Sequence, residues 1–486
     1  MSKLRDLLFR KNENPIVLTT FSGDYTAQNI TNMIDHYVEL LKNEKLAGKK
    51  VGLLIPTIPS YLSLVLAINQ LGGTVVPLSW QFRKEDLLSV LSYLNPHIVL
   101  TVKEFDHFSF ADVFHSWAKD SLEKTVIYES TDCKEWEVKS YGGKERPIET
   151  ERIDFICCSS GSTGTPKGLV IGAETLNFSI QILTEQNKIQ PSDRIFLNAP
   201  PNAVFGISAL LTGVYNGARV VFPDRFDFPN MIKLMKENNC NKLMSTPSIF
   251  KAIYQVAKAI NPDVVKQLEL VSLTGEMMTE GYAEQFDLMK DCAFFGMYGT
   301  SEIGGAMFCD LRKKIEFTFY NGVDHKISDN ELLIKSPSAF SYYYLNPELT
   351  EAMVTQDGWI HTGDLVQENK AGKFEIIGRK KDIIKKGGQQ VIPSEIEQHL
   401  SRHKHVKQAV VIGTPHPIFG EQIVAFVVTE GEINKEELFY FCSQSIARYK
   451  VPDVIELIDD IPVSQGKIDK ISLRKWYEQT RGGVKK

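Results

Sequence analysis

The sequence predicts an α/β protein: a large N-terminal domain of doubly wound α/β sheets plus a β-rich subdomain, then a small α+β C-terminal domain. Three observations carry this. From about residue 49 to 305, short apolar runs that end in Gly, Pro or polar turns alternate with stretches whose apolar residues recur at helical spacing. Beyond about 310 the texture turns β-rich, with Gly and Asp turns in DGWIHTGDL and NKAGKFEIIGRKKD. The last hundred or so residues then follow the charged stretch GRKKD (378–382), which reads as a linker, so domains at 1–380 and 381–486 are expected.

In chain order, KKVGLLIP (49–56) reads as a strand, SYLSLVLAINQLG (60–72) as a helix and TVVPL as a strand. RKEDLLSVLSYL continues as a helix and HIVLTV as a strand. RIFLNAP, ARVVFP, KLMSTP, LELVSLTGE and AFFGMYGTSE are further strands, each running into a turn, while MIKLMKENN and SIFKAIYQVAKAI are helical. In such sheets ligands collect where strands end in loops. In the C-terminal part, IPSEIEQHLSRH reads as a helix with Ser394 as N-cap and Glu397 three residues on, the spacing of a capping box. VKQAVVIGT and EQIVAFVVT alternate like strands, and KEELFYFCSQSIA places Leu438, Phe441, Cys442 and Ile446 on one helical face.

Composition narrows the function. The 486 residues carry 55 basic and 60 acidic side chains, a formal charge of −5, with no long basic tract, so neither nucleic acid nor an anionic membrane surface is an expected partner. Seven scattered cysteines without CxxC spacing point to free thiols and a reducing compartment. The opening MSKLRDLLFRKNENP lacks the apolar stretch of a signal peptide and no segment reaches the length of a membrane span, so the cytoplasm is expected. His399, His403, His405 and His416 lack a matching carboxylate or cysteine set and read as surface histidines, not a metal site.

The densest chemical signal is ICCSSGSTGTPKGLVI (156–171). Cys157 and Cys158 read as strand packing. Ser159, Ser160, Ser162, Thr163 and Thr165 offer hydroxyl donors, while Gly161 and Gly164 let backbone N–H groups approach an anion and Lys167 adds a charge. It is not a Walker loop, because Lys167 is preceded by Pro166 and followed by Gly168.

SSGSTGTPKG resembles the phosphate-binding loop of the adenylate-forming superfamily, which includes acyl-CoA synthetases, peptide-synthetase adenylation domains and luciferases. Further motifs follow in the family's order. Tyr298-Gly299-Thr300-Ser301-Glu302 resembles YGxTE, with Ser301 for the usual Thr, and Trp359 to Asp364 (WIHTGD) resembles WxxTGD. Gly378 to Asp382 is similar to the GRxKD hinge, Pro393 to Glu397 to the helix start after it, and Pro462 to Lys467 (PVSQGK) to the late PxxxxGK segment. The resemblance covers residues 25 to 470.

What it implies is specific. ATP, Mg²⁺ and CoA are the expected cofactors. Glu302 is the expected Mg²⁺ ligand, an oxygen donor suited to a hard cation. Asp364 offers acceptors for the ribose hydroxyls with Arg379 as a second contact, and Thr274-Gly275-Glu276 resembles the turn against the adenine face. Tyr298 supplies a flat surface for the base. Lys167 and the loop grip the phosphates that leave as pyrophosphate. Lys467, carried on a mobile C-terminal domain that swings about Lys381, is expected to bridge the attacking carboxylate and the α-phosphate. The implied reaction converts a carboxylic acid and ATP to an acyl-AMP and pyrophosphate, then passes the acyl group to a thiol.

The acid and the acceptor are less legible. Gly387 and Gly388, with Pro393, resemble the CoA ligases, where this loop lines the pantetheine path. No carrier domain follows Lys486 in the sequence, so free CoA is favoured, with a separate acyl carrier protein as the alternative. The family's PLFH-x-x-G segment reads Pro200-Pro201-Asn202-Ala203-Val204-Phe205-Gly206, and Ala173 stands where a second histidine is expected. Ala203, Val204, Phe205, Gly206 and Met297 are the expected acid pocket; Phe295 reads as core. With no aspartate for an α-amine, a fatty or aryl acid is expected. The lost histidines also leave a non-catalytic nucleotide- or acyl-binding homologue as a third reading, against which the intact Glu302, Asp364, Arg379 and Lys467 argue.

Overall fold

The computed structural model describes residues 15–159, 166–278, 280–464 and 467–481, with the side chains of 159, 464, 467 and 481 outside the described set. The chain packs as two compact units, one holding 1–324 and 334–360, the other 325–333 and 361–486.

The first unit contains a nine-stranded and an eight-stranded sheet. In the nine-stranded sheet Ile16–Thr20, Arg219–Val221, Arg194–Leu197, Lys242–Ser245, Leu270–Thr274 and Ala293–Thr300 run parallel, and antiparallel strands finish both edges. The eight-stranded sheet has a parallel centre of Phe155–Ser159, Thr74–Pro77, Lys50–Leu54, Ile98–Val102 and Thr125–Ser130. Its antiparallel edges are Lys167–Ile171 with Tyr343–Tyr344 on one side and Glu137–Tyr141 on the other. Parallel neighbours need a crossover, and helices such as Ile58–Gln70 and Lys84–Leu94 supply it. The expected α/β architecture is present.

Two of these helices are apolar on every side because they are covered on every side. Ile58 to Asn69 are all buried, as are Gly206 to Val214 of the helix Val204–Tyr215. The second places Ala203, Val204, Phe205 and Gly206 of the expected acid pocket at its N-terminal turn.

A four-stranded sheet (Asp324–Ser328, Glu331–Lys335, Ile360–Glu368, Phe374–Arg379), most of whose residues belong to the second unit, precedes a sheet built on the long hairpin Val406–His416 and Gly420–Thr429. Both faces of that hairpin are buried. Ala409, Val411, Ile423, Ala425 and Val427 pack with Ile396, Leu400, Leu438 and Cys442, while Val410, Ile412, Val424 and Phe426 pack with Leu473 and Tyr477. The uninterrupted apolar run AVVI records this double burial.

The helix after the expected linker begins differently from the sequence expectation. It spans Pro393–Ser401 with Ile392 at the N-cap, because Pro393, whose ring presets φ, occupies the first turn. The Ser394 hydroxyl instead donates to the Ile377 carbonyl, and Glu397 accepts from the Val411 N–H at 2.8 Å. GRKKD is likewise not a loose tether: Gly378 and Arg379 end a strand and Lys380–Asp382 form a 3-10 turn. The compact unit that holds this turn also takes in 325–333 and 361–379.

Candidate active site

In the first unit, Lys167 pairs with Ser159 at the mouth of the antiparallel hairpin Phe155–Ser159/Lys167–Ile171. The expected phosphate loop is thus the hairpin connection. Ser160, Gly161, Ser162, Thr163, Gly164 and Thr165 lie outside the described residues, as does the Ser159 side chain. Cys157 and Cys158, on the strand entering the loop, are pushed up to about 12 by burial, which fits packing and not reactivity. Gly168 is a tight crossing: a Cβ there would lie 2.9 Å from Ile156 and 3.3 Å from Tyr344 and Tyr93.

YGTSE forms the tip of a second hairpin. The register between Ala293–Thr300 and Gly304–Asp310 shifts between Tyr298 and Gly299, a bulge that re-aims the strand end. Gly299 passes so close to its partner strand that a Cβ would lie 2.1 Å from the Gly304 carbonyl oxygen. Thr300 pairs with Gly304 to close the turn, and its Oγ1 accepts from the N–H groups of Glu302 (3.3 Å) and Ile303 (3.4 Å). Ser301 is exposed at the tip and Glu302 half-buried beside it.

Tyr343, which the sequence reading did not single out, joins the two hairpins. It is 1% exposed, its strand pairs Leu169, and its hydroxyl donates to Glu302 Oε1 at 2.8 Å. The Lys167 Nζ stands 5.8 Å from the centre of the same ring. Burial, and then the Glu302 carboxylate, push the Tyr343 hydroxyl well above the ordinary tyrosine range, so it is a fixed donor. Among the described residues no side chain bonds the second carboxylate oxygen of Glu302, and an oxygen ligand on a braced turn suits Mg²⁺.

The remaining first-unit candidates lie around the C-terminal ends of the parallel strands, except Ala173, which sits by the N-terminal end of Phe155–Ser159. Gly275 takes φ +92° after Leu270–Thr274, and Glu276 accepts from the Ser248 N–H at 3.2 Å and from its hydroxyl, at the start of the helix Pro247–Ile260. Tyr298 is 9% exposed with its ring edge-on to Phe317, and Met297 is 6% exposed. Ala203 is the N-cap of Val204–Tyr215 without a side-chain cap bond, and Val204 and Phe205 are half-buried. Ala173 opens the helix Ala173–Gln186, its N–H donating to Asp154 Oδ2 at 2.9 Å.

Asp364, Arg379, Lys381, Gly387, Gly388 and Lys467 belong to the second unit. Asp364 and Arg379 are register partners across Ile360–Glu368 and Phe374–Arg379, with Arg379 Nε 2.7 Å from Asp364 Oδ1. Next to them is a group with no sequence signature. Buried Glu331 accepts from Lys380 Nζ at 2.7 Å and the Gly363 N–H at 3.1 Å, with His361 Nδ1 at 3.3 Å. Burial alone would raise its carboxyl, but Lys380 and His361 hold it below the usual range. The residue preceding Lys381 is therefore anchored.

Gly387 and Gly388 form the two-residue turn between Ile384–Lys386 and Gln389–Val391, with φ of +56° and +81°. Positive φ at both central positions is what a tight hairpin of this hand requires, and glycine meets it without strain. Lys467 opens a two-residue strand opposite Ser464, its side chain outside the described residues. Among the described residues no group of three or more histidine, cysteine and carboxylate side chains is placed to hold a metal ion, and no helix is long and apolar enough to cross a membrane. His399 is stacked on Phe441, 4.5 Å between ring centres.

The AMP-binding enzyme family matches residues 12–342, and the AMP-binding enzyme C-terminal domain matches 395–466. The feruloyl-CoA synthase of Amycolatopsis sp is 25% identical over 88% of this chain and 89% of its own length. The malonate–CoA ligase of Arabidopsis thaliana is 24% identical over 89% of this chain and 79% of its own. Among solved structures, ATP-bound MatB from Rhodopseudomonas palustris superposes with a TM-score of 0.84, covering 98% of this chain and 99% of that one at 20% identity. The amide bond synthetase McbA from Marinactinospora thermotolerans gives 0.83 at 18% identity, covering 98% of both chains. The last two likenesses show the shared fold of a large N-terminal and small C-terminal domain.

Proposed function

The chain belongs to the AMP-binding enzyme family, and from that premise we propose that it is an AMP-forming acid–thiol ligase, joining a fatty or aryl acid to CoA. The observation that carries the reading is local to the first unit: Lys167 at the mouth of the phosphate hairpin and Glu302 at the tip of the neighbouring hairpin flank one buried tyrosine.

In this reading the acid's carboxylate attacks the α-phosphorus of ATP and pyrophosphate leaves in line, giving an acyl-AMP. The CoA thiol then attacks its carbonyl and AMP departs. Positioning and charge neutralisation carry most of such a rate. Mg²⁺, bound through Glu302, would offset the charge on the departing pyrophosphate. Lys167 and the hairpin loop hold the same phosphates, Asp364 and Arg379 the ribose, and Tyr298 with the Gly275–Glu276 turn the base. Lys467 serves the α-phosphate, with the 381–486 part turning about Lys381 between the two steps. The Glu331–Lys380 ion pair supports that pivot, since it ties down the residue just before it.

The named relatives span an aryl and a dicarboxylic acid, so they do not choose the substrate. The absence of charged side chains at 203–206 and 297 supports an uncharged tail. The Gly387-Gly388 turn supports a narrow pantetheine path. Seven free cysteines fit a reducing compartment, the cytoplasm.

The test is pyrophosphate exchange across a panel of carboxylic acids, followed by trapping with CoA. Exchange with a fatty or aryl acid and formation of its CoA thioester are expected. Exchange without acylation of CoA would move the acceptor to a carrier protein, and silence across the panel with ATP still bound would leave a non-catalytic binding protein.

A further inference from the structure

We propose that Tyr343 is a positioning residue for the metal–nucleotide complex, an inference that rests on the reading of Glu302 as the Mg²⁺ ligand. Three contacts define its place. The hydroxyl donates to Glu302 Oε1 at 2.8 Å, the ring carries Lys167 Nζ on its face at 5.8 Å, and the backbone N–H donates to Thr350 Oγ1 at 3.0 Å. Phe340 meets the ring at an angle with 4.7 Å between centres, and the Phe340 N–H donates to the Glu302 carbonyl at 2.8 Å. Glu302 is thus held at its main chain and at one carboxylate oxygen by the same short segment.

The chemistry of that hold is directional. A carboxylate with both oxygens open can swing or chelate, whereas Mg²⁺ takes ligands in a strict octahedral set and keeps several waters. A buried donor on Oε1 stops rotation and presents Oε2 alone, and a hydrogen-bonded carboxylate is the usual support of a metal ligand. The ring does a second job. Lys167 and Glu302 carry opposite charges on neighbouring hairpins, yet among the described residues they form no ion pair with each other. Tyr343 lies between them and offers the lysine a π face. Each charge is kept for the nucleotide: the lysine for phosphate, the carboxylate for its cation.

The experiment measures equilibrium ATP binding to the full chain by calorimetry, without acid or CoA, in excess Mg²⁺ and separately in a chelator. Tyr343→Phe removes one hydroxyl and keeps the ring contacts, and a thermal melt verifies folding. Affinity for ATP in Mg²⁺ is expected to fall about tenfold in Tyr343→Phe and in Glu302→Gln. Neither should alter affinity in chelator, and the double variant should fall no further than either single one. Wild-type affinity in Tyr343→Phe, an equal loss in chelator, or additive losses would overturn the proposal. A Glu302→Gln protein that binds as the wild type does in Mg²⁺ would instead defeat the reading of Glu302 itself.

Discussion

Arg379 Nε lies 2.7 Å from Asp364 Oδ1, and the two residues face each other in register across an antiparallel strand pair. The carboxylate side chain is 3% exposed and the guanidinium 46%. The arginine keeps donors toward solvent while it holds a carboxylate that is almost wholly buried.

That asymmetry predicts different outcomes for the two partners. Arg379→Met removes the 2.7 Å ion pair from a buried carboxylate and should cost about 1–3 kcal/mol in a denaturant melt as well as weakening ATP binding. Asp364→Asn leaves the arginine free to solvent, so it should weaken ATP binding about tenfold, the worth of one charge-assisted bond, with little change in the melt. Equal melts for both variants would contradict the asymmetry.

Gly206 sits where the helix Val204–Tyr215 meets the segment before it. A Cβ at this position would lie 1.9 Å from the Pro200 carbonyl oxygen and 2.5 Å from its carbon. Backbone must therefore move. Gly206→Ala should destabilise the protein by about 1–3 kcal/mol and, by shifting 200–206, raise KM for the acid while leaving ATP binding intact. Unchanged acid kinetics would remove this segment from the pocket.

His97 is neutral by construction. Its Nδ1 accepts from the Lys50 N–H at 3.1 Å, and its Nε2 faces the Pro147 carbonyl at 3.0 Å as donor. Burial lowers its pKa from 6.5 to about 4. The unfolded chain gains this proton as pH falls below about 6.5 and the folded chain only near 4, so the histidine's contribution is full above that window and lost through it. The loss should approach ~3 kcal/mol by pH 4. Urea midpoints from pH 4 to 7 for the wild type and His97→Gln check it: the wild type should fall more steeply, and parallel curves would refute the assignment.

Lys467→Ala should lower pyrophosphate exchange by roughly two to three decades, as expected for loss of a charge that acts on the transition state. Thioester formation from a preformed acyl-AMP should survive. Equal losses in both half-reactions would end the proposed role.

The motifs were legible because their chemistry is written in consecutive residues. The bulge at Tyr298-Gly299 and the Gly-Gly turn at 387–388 each meet a local backbone demand, and residue type reports such demands directly. The helix start at 392–397 departs from its sequence expectation for a related reason. Ser394 and Glu397 have capping-box spacing, but Pro393 preset the first turn and the serine hydroxyl found the Ile377 carbonyl instead.

By itself, then, the sequence determined the family, the α/β alternation and the residues that display charge at strand ends. Tertiary structure decided which of them stand together. Tyr343 reaches Glu302 from 41 residues away, and Lys380 reaches Glu331 from 49. A buried tyrosine or glutamate that supports a site carries no local pattern, because its role is set by strand pairing across long stretches of chain. The same pairing sets the packing boundary: Phe374–Arg379 pairs with Ile360–Glu368, so Asp364 and Arg379 share the second unit. Residue type reports what a position can do, and only the folded register reports what it faces.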